Sequence, residues 1–446
     1  MFLRVRCLHF QAEVLSVSNC LVSVAVPDCW RANCMKITIL TAGTGSYYCG
    51  ACMRDNALAK ALRAAGHDAL MVPMYLPLQL DEEKSEADRD TPVFFGGINV
   101  YLQQKYGFFR KLPRWVDRLF NGRGLLRAVA KRSHLTSAAE QGEMTHQMLR
   151  LEESHLEKEV DKLCEWLEHD GKPDVILISN ALLAGLTRTL KERLGSKVIC
   201  TFQGEDSFLD GLPAPWKEKC WEEMSLRLKD ADAVISPSQF YAEMMEERTG
   251  ISSSVIPNGI DLTGYRPATG KKRIGYLARM CHSKGLGNLV DAFIELNDPS
   301  LTLAIAGTMG GGDEEYVASL KEKLTAAGLL DSTEWHPDLD RDSKADFLAG
   351  LSVFSVPVNY PEAFGLYLIE AMASSLPVVM PRASAFVEII EPTKCGLLFS
   401  EGELASSLCQ ALDHPEDMGE NGRRTVEENY HVGAMAEKFA ELCRSL

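Results

Sequence analysis

Short apolar runs recur along this chain, and most of them end at a polar or glycine-bearing turn that leads into a helical pattern. The runs are rich in Val, Ile and Leu, which is typical of parallel strands that are covered on both faces. Strands that alternate with helices predict an α/β protein with parallel sheets. We predict such strands at 36–41, 69–73, 173–180, 197–202, 231–238, 254–256, 273–279, 301–306, 353–358 and 376–380.

The stretch 359–373 carries the densest functional pattern, because it joins the strand at 353–358 to a helix predicted at 366–374. Glu362 lies in the turn, Gly365 at the start of the helix, and Glu370 within it. Free backbone N–H groups at a helix start form an anion site, and a glycine lets a ligand approach them. A carboxylate beside a phosphate is repelled unless it binds another part of the ligand, so two carboxylates indicate the hydroxyl groups of a sugar and a ribose. The pattern therefore predicts a nucleotide-sugar site.

The first predicted strand leads into a turn that contains Gly43 and Gly45, and a helix is predicted at 54–64. This βαβ unit lacks the full glycine fingerprint of dinucleotide-binding proteins, so a dinucleotide cofactor is only weakly indicated. Cys49 and Cys52 at the same turn have thioredoxin-like spacing. Because no second pair or nearby histidine accompanies them, we interpret them as thiols at a helix start rather than as a redox or zinc site.

Residues 79–172 depart from the regular alternation of strands and helices. The segment 105–132 is basic, with interleaved aromatic residues, in a chain that is acidic overall. One interpretation is an electropositive surface for a lipid-linked or phosphorylated acceptor, or for an anionic membrane. The other is a solvated helical insertion whose aromatic residues pack on the core. Residues 140–168 then predict one long amphipathic helix.

Polar residues follow two of the predicted strands, where ligands of open parallel sheets bind. Gln203, Glu205 and Asp206 come after the strand at 197–202. The two carboxylates either orient an acceptor or cap the next helix. Arg279 and Lys284 lie at the end of the strand at 273–279 and in the turn after it, where cations would neutralise a leaving diphosphate.

Length and composition exclude some classes of protein and favour others. A chain of 446 residues exceeds what one core usually supports, so two domains are expected. The net charge of -15 argues against general nucleic-acid binding, and no apolar run is long enough to predict a membrane-spanning helix. The 13 cysteines are scattered, which suits reduced thiols in a cytoplasm. Since Met35 opens directly into the first strand, we interpret 1–34 as an over-extended start or a disordered leader.

The glutamates of the central stretch stand eight positions apart, with Ala-Phe-Gly after the first and Ala-Met-Ala after the second. This pattern resembles the signature of the retaining GT-B glycosyltransferases of family four, the glycosyl transferases group 1. The resemblance covers about 35–446 and is strongest over 271–390. It implies an α/β GT-B fold, in which two facing Rossmann-like, doubly wound domains hold the active site in the cleft between them.

The resemblance also implies donor-binding roles for individual residues. Glu362 would lie against the donor sugar, the amides of Phe364, Gly365 and Leu366 would meet the sugar and phosphate, and Glu370 would hold the ribose. The glycines of the first turn, Gly43 and Gly45, would face the donor diphosphate. Gln203 stands where family members often carry a histidine that contacts the donor sugar, which is a departure from the pattern. Arg279 and Lys284 keep the five-residue separation of the family motif, although an extra alanine precedes the arginine.

By the same resemblance, 35–264 would be an acceptor domain with a helical and basic insertion at about 104–170. Residues 265–428 would be the nucleotide-sugar donor domain, and 429–446 a helix that crosses back to the first domain. The protein would be cytoplasmic, with peripheral contact to the inner face of a membrane if 105–132 binds one.

The resemblance implies transfer of a sugar from a UDP-, GDP- or ADP-sugar to a carbohydrate, lipid-linked or small-molecule acceptor, with retained configuration. Glu362, Arg279 and Lys284 would be the catalytic residues, and no metal or other cofactor is expected. Two alternatives remain open. One is a catalytically degenerate module that binds sugar nucleotides, and the other is a GT-B-fold sugar-nucleotide epimerase, which would need no separate acceptor.

Overall fold

Two parallel sheets form the framework of the protein in a computed structural model. The structure describes residues 34–43, 50–76, 91–95, 138–151, 156–310, 312–413 and 415–446. The predictions made for Gly45, Cys49, the basic segment 105–132 and all but the last residue of 1–34 lie outside these residues. Residues Met35–Leu446 belong to one compact unit.

The strands of the described residues are β1 (Lys36–Thr41), β2 (Asp68–Pro73), β3 (Val175–Ile178), β4 (Lys197–Thr201), β5 (Ala233–Ser236), β6 (Ser254–Val255), β7 (Arg273–Leu277), β8 (Thr302–Gly307), β9 (Thr333–Pro337), β10 (Val353–Phe354), β11 (Val378–Pro381) and β12 (Gly396–Phe399). Ten of these strands lie close to their predicted positions, whereas β9 and β12 were not predicted.

The helices of the described residues alternate with these strands. They are α1 (Gly50–Ala64), α2 (Ala138–Leu149), α3 (Glu157–His169), α4 (Thr187–Leu194), α5 (Glu205–Asp210), α6 (Trp216–Leu228), α7 (Gln239–Thr249), α8 (Leu286–Leu296), α9 (Asp313–Ala326), α10 (Arg341–Ala349), α11 (Leu366–Ala373), α12 (Ala385–Thr393), α13 (Leu404–Asp413), α14 (Pro415–Asn429) and α15 (Val432–Ser445). Short 3-10 helices occupy Ala181–Leu186 and Leu330–Ser332.

Each sheet has six strands that pair only in parallel, in the orders β2-β1-β3-β4-β5-β6 and β12-β11-β10-β7-β8-β9. We call each sheet with its helices a lobe. The chain reverses its direction of travel between β1 and β3 in the first lobe, and between β7 and β10 in the second. Loops at such a switch point diverge and leave a crevice beyond the carboxyl ends of the strands. The turns that carry Arg279 and Glu362 follow β7 and β10, so both open into the crevice of the second lobe.

Helix α15 returns to the first lobe. Its apolar residues Met435, Phe439 and Cys443 pack in one cluster with Ile37 and Leu177 of the first sheet. The predicted α/β GT-B fold is confirmed by the two sheets and their arrangement. The exact domain limits at 264 and 428 stay predictions.

Several element bounds differ from the predicted ones. The helix predicted over 140–168 is two helices, since α2 ends at Leu149 and α3 begins at Glu157. Leu149, Leu151 and Leu156 are all buried in the first-lobe core, whereas a straight helix would turn Leu151 to the face opposite Leu149 and Leu156. The strand predicted at 353–358 pairs only at Val353–Phe354 as regular structure, and residues 355–358 are buried but not part of the strand.

Candidate active site

A cleft of about 440 Å³ lies between the two lobes. Gln203, Gly204 and Pro237, which follow β4 and β5, line its first-lobe wall. Its second-lobe wall is formed by residues that end or follow β7, β8 and β10, by Lys344 of α10 and by residues of α11. Those residues include Arg279, Lys284, Gly307, Thr308, Lys344, Tyr360, Glu362, Phe364, Gly365, Leu366, Tyr367 and Glu370. The structure therefore brings most of the predicted donor-binding residues to one cleft.

Glu362 is held by a cation and two phenols. Its Oε2 accepts hydrogen bonds from Lys284 Nζ at 2.6 Å, from Tyr360 Oη at 2.7 Å and from Tyr367 Oη at 2.8 Å. Burial alone would raise the pKa of this carboxyl, but the Lys284 ammonium and the two hydroxyls outweigh it and lower the pKa below its ordinary value. Burial, reinforced by the nearby carboxylate, raises the pKa of both tyrosines, so they remain donors at neutral pH. Glu362 is thus a fixed anion on the wall of the cleft.

The position of Lys284 depends on the glycine that follows it. Gly285 has a φ of +72° and precedes α8, and a Cβ at this position would overlap the carbonyl oxygen of Pro357. Only glycine satisfies both conditions without a shift of the backbone. The turn therefore aims Lys284 at Glu362 and keeps its ammonium 4.9 Å from the centre of the Tyr360 ring.

Arg279 is oriented by Asp313 at the start of α9. Its Nε donates to Asp313 Oδ2 at 2.7 Å, and the amide of Gly310 donates to the same oxygen at 2.7 Å. The arginine side chain is about half exposed, with a relative accessibility of 49%, whereas Asp313 is at 12%. A buried carboxylate thus directs a guanidinium that faces the cleft.

Glu370 lies deeper in the wall than Arg279. Its Oε1 accepts hydrogen bonds from Lys344 Nζ at 2.5 Å and from Tyr265 Oη at 3.0 Å. Lys344 and Glu370 are both buried, and each lines the cleft. The ion pair fixes one carboxylate oxygen, so the rest of the group can accept from a ligand hydroxyl.

The start of α11 lies at the cleft. Gly365 has a φ of +83°, and a Cβ there would come within 3.1 Å of the Phe386 ring. The N–H groups of the first turn of a helix have no partner inside the helix, and they carry the positive end of its dipole. Phe364, Gly365 and Leu366 line the cleft, so this end of α11 is suited to an anionic ligand group.

Of the two described first-lobe residues predicted to bind the donor, Gln203 lines the cleft and Gly43 does not. The buried Nε2 of Gln203 has no hydrogen-bond partner among the described residues. Gly43 has a φ of +73°, and a Cβ there would overlap the carbonyl oxygen of Leu76. A close backbone approach therefore already explains this glycine.

Glu205 and Asp206 turn into the first-lobe core and do not line the cleft. Glu205 accepts hydrogen bonds from the backbone amides of Ala181 at 2.9 Å and Gln203 at 2.7 Å. Tyr241 Oη donates to Asp206 Oδ1 at 2.7 Å. Burial raises the pKa of Glu205 above its ordinary value, and these backbone hydrogen bonds oppose that rise only in part. In this arrangement, both carboxylates brace backbone and side chains, which is closer to the capping interpretation than to acceptor contact.

Sequence reasoning missed several residues of the site. Tyr360 and Tyr367 flank Glu362 closely in sequence, and their hydroxyls could have been proposed as partners for that carboxylate. Lys344, Tyr265 and Asp313 have no local signal, because each reaches its partner from a different element.

Other expected features concern the rest of the molecule. No helix in the described ranges is both long and apolar enough to cross a bilayer. Cys52 is buried, and its partner in the CxxC pair lies outside the described residues.

Two facing parallel sheets with a shared cleft define the GT-B class of architecture. Similar solved structures include Alr3699/HepE from Anabaena in complex with UDP-glucose, with a TM-score of 0.62, 18% identity and coverage of 92% of this chain and 100% of that one. Sucrose-phosphate synthase from Thermosynechococcus elongatus has a TM-score of 0.66 at 20% identity, with coverage of 92% and 98%. At these identities the likeness shows the fold.

The family comparison agrees with the fold. The family model described as glycosyl transferases group 1 matches residues 263–427, and that of glycosyltransferase family 4 matches 154–263. Together they match an unbroken region that is more than half of the chain. The chain belongs to the group 1 glycosyltransferases, as the central glutamate pattern predicted.

Relatives align with parts of this chain. The lipopolysaccharide core biosynthesis mannosyltransferase LpsB of Rhizobium meliloti is 27% identical over 242 residues, or 49% of this chain and 67% of that protein. The MMP alpha-(1->4)-mannosyltransferase of Mycolicibacterium hassiacum is 30% identical over 218 residues, or 46% of this chain and 48% of the relative. The match with the second relative thus spans about half of that protein.

Proposed function

We propose that this protein transfers a sugar from a nucleoside diphosphate sugar to an acceptor hydroxyl with retention of anomeric configuration. The observation that carries the proposal is the convergence of Arg279, Lys284, the start of α11 and the two carboxylates Glu362 and Glu370 on one cleft. A single ligand that contains phosphate, ribose and sugar accounts for cations and carboxylates side by side. The names of the relatives, which include two mannosyltransferases, and the UDP-glucose complex of a protein of the same fold support the same class of ligand.

In the proposed donor complex, Glu370 binds the ribose hydroxyls. Its fixed Oε1 keeps the carboxylate oriented, and Lys344 balances its charge in a buried place. The diphosphate lies at the amides of Phe364, Gly365 and Leu366. Glu362 then binds hydroxyls of the donor sugar, and Gln203 can donate to the sugar from the opposite wall through Nε2.

Arg279 and Lys284 stabilise the leaving diphosphate. Negative charge develops on the phosphate oxygens as the bond to the sugar breaks, and fixed cations stabilise that charge without reorganisation. These two side chains and the α11 amides occupy the role that a divalent metal takes in other enzymes. We therefore propose that the reaction needs no metal.

Retention follows from attack on the face that the diphosphate leaves. The acceptor oxygen forms its bond to the anomeric carbon while the bond from that carbon to the phosphate oxygen breaks. The proton of the acceptor hydroxyl passes to the departing phosphate. Glu362 already takes three hydrogen bonds at one oxygen, so it is suited to holding the sugar rather than attacking it.

The acceptor is proposed to be a carbohydrate, a lipid-linked precursor or a small molecule that enters along the first-lobe wall. The buried partners of Glu205 and Asp206 make them unsuited to direct contact in this arrangement. The membrane contact proposed for 105–132 rests on the sequence alone. Unchanged liposome binding after neutralisation of Arg110, Lys111, Arg114 and Arg118 would remove it.

The proposal is tested by following release of nucleoside diphosphate from UDP-, GDP- and ADP-sugars, with and without a panel of acceptors. We expect slow hydrolysis of one donor by the wild-type protein and faster turnover with an acceptor. NMR of the transfer product should show the same anomeric configuration as the sugar has in the donor. Glu362→Gln should lose most of this turnover, and Glu441→Gln, an exposed substitution on α15, should lose none. Tight donor binding without turnover would favour the degenerate module, and an altered sugar nucleotide without a transfer product would favour the epimerase.

A further inference from the structure

Two side chains connect the lobes beside Glu362. Glu388 of α12, in the second lobe, accepts hydrogen bonds from the backbone amides of Gln239 at 3.1 Å and Phe240 at 2.9 Å, at the start of α7 in the first lobe. Ser238, which precedes α7, donates from Oγ to the carbonyl oxygen of Ala363 at 2.6 Å. In both connections the second lobe provides the acceptor and the first lobe the donor. Contact between the lobes therefore involves the residue next to Glu362.

The amide groups at the start of α7 depend on this contact. Ser238 also accepts from the amide of Tyr241 at 3.1 Å, which satisfies a third N–H group of the first turn. The first N–H groups of a helix have no partners inside it, and a carboxylate at that end is favoured by the helix dipole. Glu388 therefore completes the capping of a first-lobe helix from the second lobe. Separation of the lobes would return Glu388 and two amides to water.

Helix α12 is bonded at its start to Glu362 itself. The amide of Glu362 donates to Ser384 Oγ at 3.0 Å, and the amide of Ala385 donates to the Glu362 carbonyl oxygen at 3.4 Å. Ser384 has a φ of +63° and a ψ of -160°, a region that is populated almost only by glycine. Such a conformation persists only where its surroundings impose it. The bonds to Glu362 and the start of α12 are the surroundings here.

We propose that Glu388 is a positioning residue that couples the approach of the two lobes to the placement of Glu362. The hydrogen bonds from the α7 amides to Glu388 hold α12 against the first lobe. The start of α12 in turn holds the backbone of Glu362, and Ser238 holds the carbonyl group of Ala363. The backbone that carries the Glu362 carboxylate is then tied to the first lobe when the lobes are together. This inference rests on the proposed function for the role of Glu362, but the mechanical connection can be measured without turnover.

Hydrogen exchange tests the connection, with full-length wild-type protein, Glu388→Ala, Glu388→Gln and the control Glu391→Gln. Glu391 lies on the same helix, is exposed and pairs with Arg382. In Glu388→Ala we expect faster exchange at the amides of Gln239 and Phe240, which lose their acceptor, and also at the amide of Glu362, which does not touch residue 388. Glu388→Gln keeps one acceptor oxygen and should show smaller changes, and Glu391→Gln should show none.

Turnover and binding separate positioning from general structural damage. The cations, Glu370 and the α11 start all lie in the second lobe, so affinity for the nucleoside diphosphate should stay within about twofold in Glu388→Ala, because no contact to it is removed. Turnover of the nucleotide sugar should fall about tenfold, as expected when the contact of Glu362 with the sugar in the transition state is weakened, with Glu388→Gln intermediate.

Three outcomes test the coupling between the lobe contact and Glu362. Faster exchange confined to α7 with wild-type turnover would overturn the coupling, and so would a parallel loss of nucleoside diphosphate binding and turnover. If the wild-type protein turns over no nucleotide sugar while the Glu362 amide responds to Glu388→Ala, the coupling stands and the proposed function fails. If Glu388→Ala does not fold, Glu388→Gln carries the same comparison.

Discussion

Lys284 donates a hydrogen bond of 2.6 Å to the Glu362 carboxylate, although 78 residues separate the two along the chain. The pair joins the turn after β7 to the turn after β10, the two strands at the switch point of the second sheet. A cation for a leaving phosphate and a carboxylate for a sugar thus meet where ligands of such sheets bind. The pair holds each side chain in place before a ligand arrives.

The first prediction concerns the pH dependence of stability. Because the folded-state pKa of Glu362 is below its ordinary value of 4.5, the unfolded chain takes up this proton first as the pH falls. The stabilisation from this group is therefore present above its unfolded pKa and is lost as the pH falls through the folded one. Glu362→Gln should lower the free energy of unfolding by about 1–3 kcal/mol at pH 7, and the difference should shrink below pH 4.5. Urea unfolding across this range checks it, and a difference independent of pH would contradict it.

The second prediction concerns the turn that aims Lys284. Gly285→Ala puts a Cβ against the Pro357 carbonyl at a positive φ, so the turn must shift. We expect a stability loss of about 2–4 kcal/mol and weaker binding of the nucleotide sugar.

Gly250→Ala is the matched control, since Gly250 has a φ of +68° and no atom lies within 4 Å of the place that a Cβ would take there. It should cost only the backbone strain, about 1 kcal/mol, and leave binding unchanged. Equal effects of the two substitutions on urea midpoints would show that the Pro357 contact does not matter.

The third prediction concerns the ribose. Glu370→Gln should weaken binding of a nucleoside diphosphate about tenfold, because the anionic acceptor for the ribose hydroxyls is lost. The same substitution should leave the affinity for the 2′,3′-dideoxy analogue nearly unchanged, since that ligand has no such hydroxyls. Calorimetry of the wild-type and Glu370→Gln proteins with both ligands gives the coupling free energy between residue 370 and the ribose hydroxyls. An equal loss for the two ligands would place the ribose elsewhere.

The fourth prediction concerns metal dependence. If Arg279, Lys284 and the α11 amides neutralise the leaving group, turnover should be the same in EDTA as in Mg²⁺ or Mn²⁺. Arg279→Lys should lower turnover about tenfold or more, because lysine cannot reproduce the guanidinium that Asp313 orients. Initial rates measured under each condition check this. Loss of activity in EDTA that added metal restores would sink the metal-free mechanism.

The sequence predicted those parts of the molecule that local patterns determine. Apolar runs such as 175–178 are buried on both faces, so their composition alone indicates parallel strands. The spacing of Glu362, Gly365 and Glu370 around a helix start likewise places them together, since one turn and one helix carry all three.

Features that depend on distant parts of the chain could not be predicted in this way. The partners of Glu370 come from α10 and from the connection before β7, and nothing near Lys344 or Tyr265 indicates this meeting. Nothing near Glu388 in the sequence indicates a contact with α7, and only the packing of the lobes shows that it caps this helix. The break between α2 and α3 also reflects tertiary packing, because the pattern of 140–168 is helical throughout.

The assignment of the donor site to the cleft is tested by calorimetric titration of the protein with UDP-, GDP- and ADP-sugars in the absence of metal. We expect tight binding of one nucleotide sugar, weakened at least about tenfold in Lys284→Ala and Glu370→Ala. Lys438→Ala, which removes an exposed lysine of α15, should bind as the wild type does. Absence of binding by a folded wild-type protein, or binding that neither cleft substitution weakens, would contradict the assignment of the donor site.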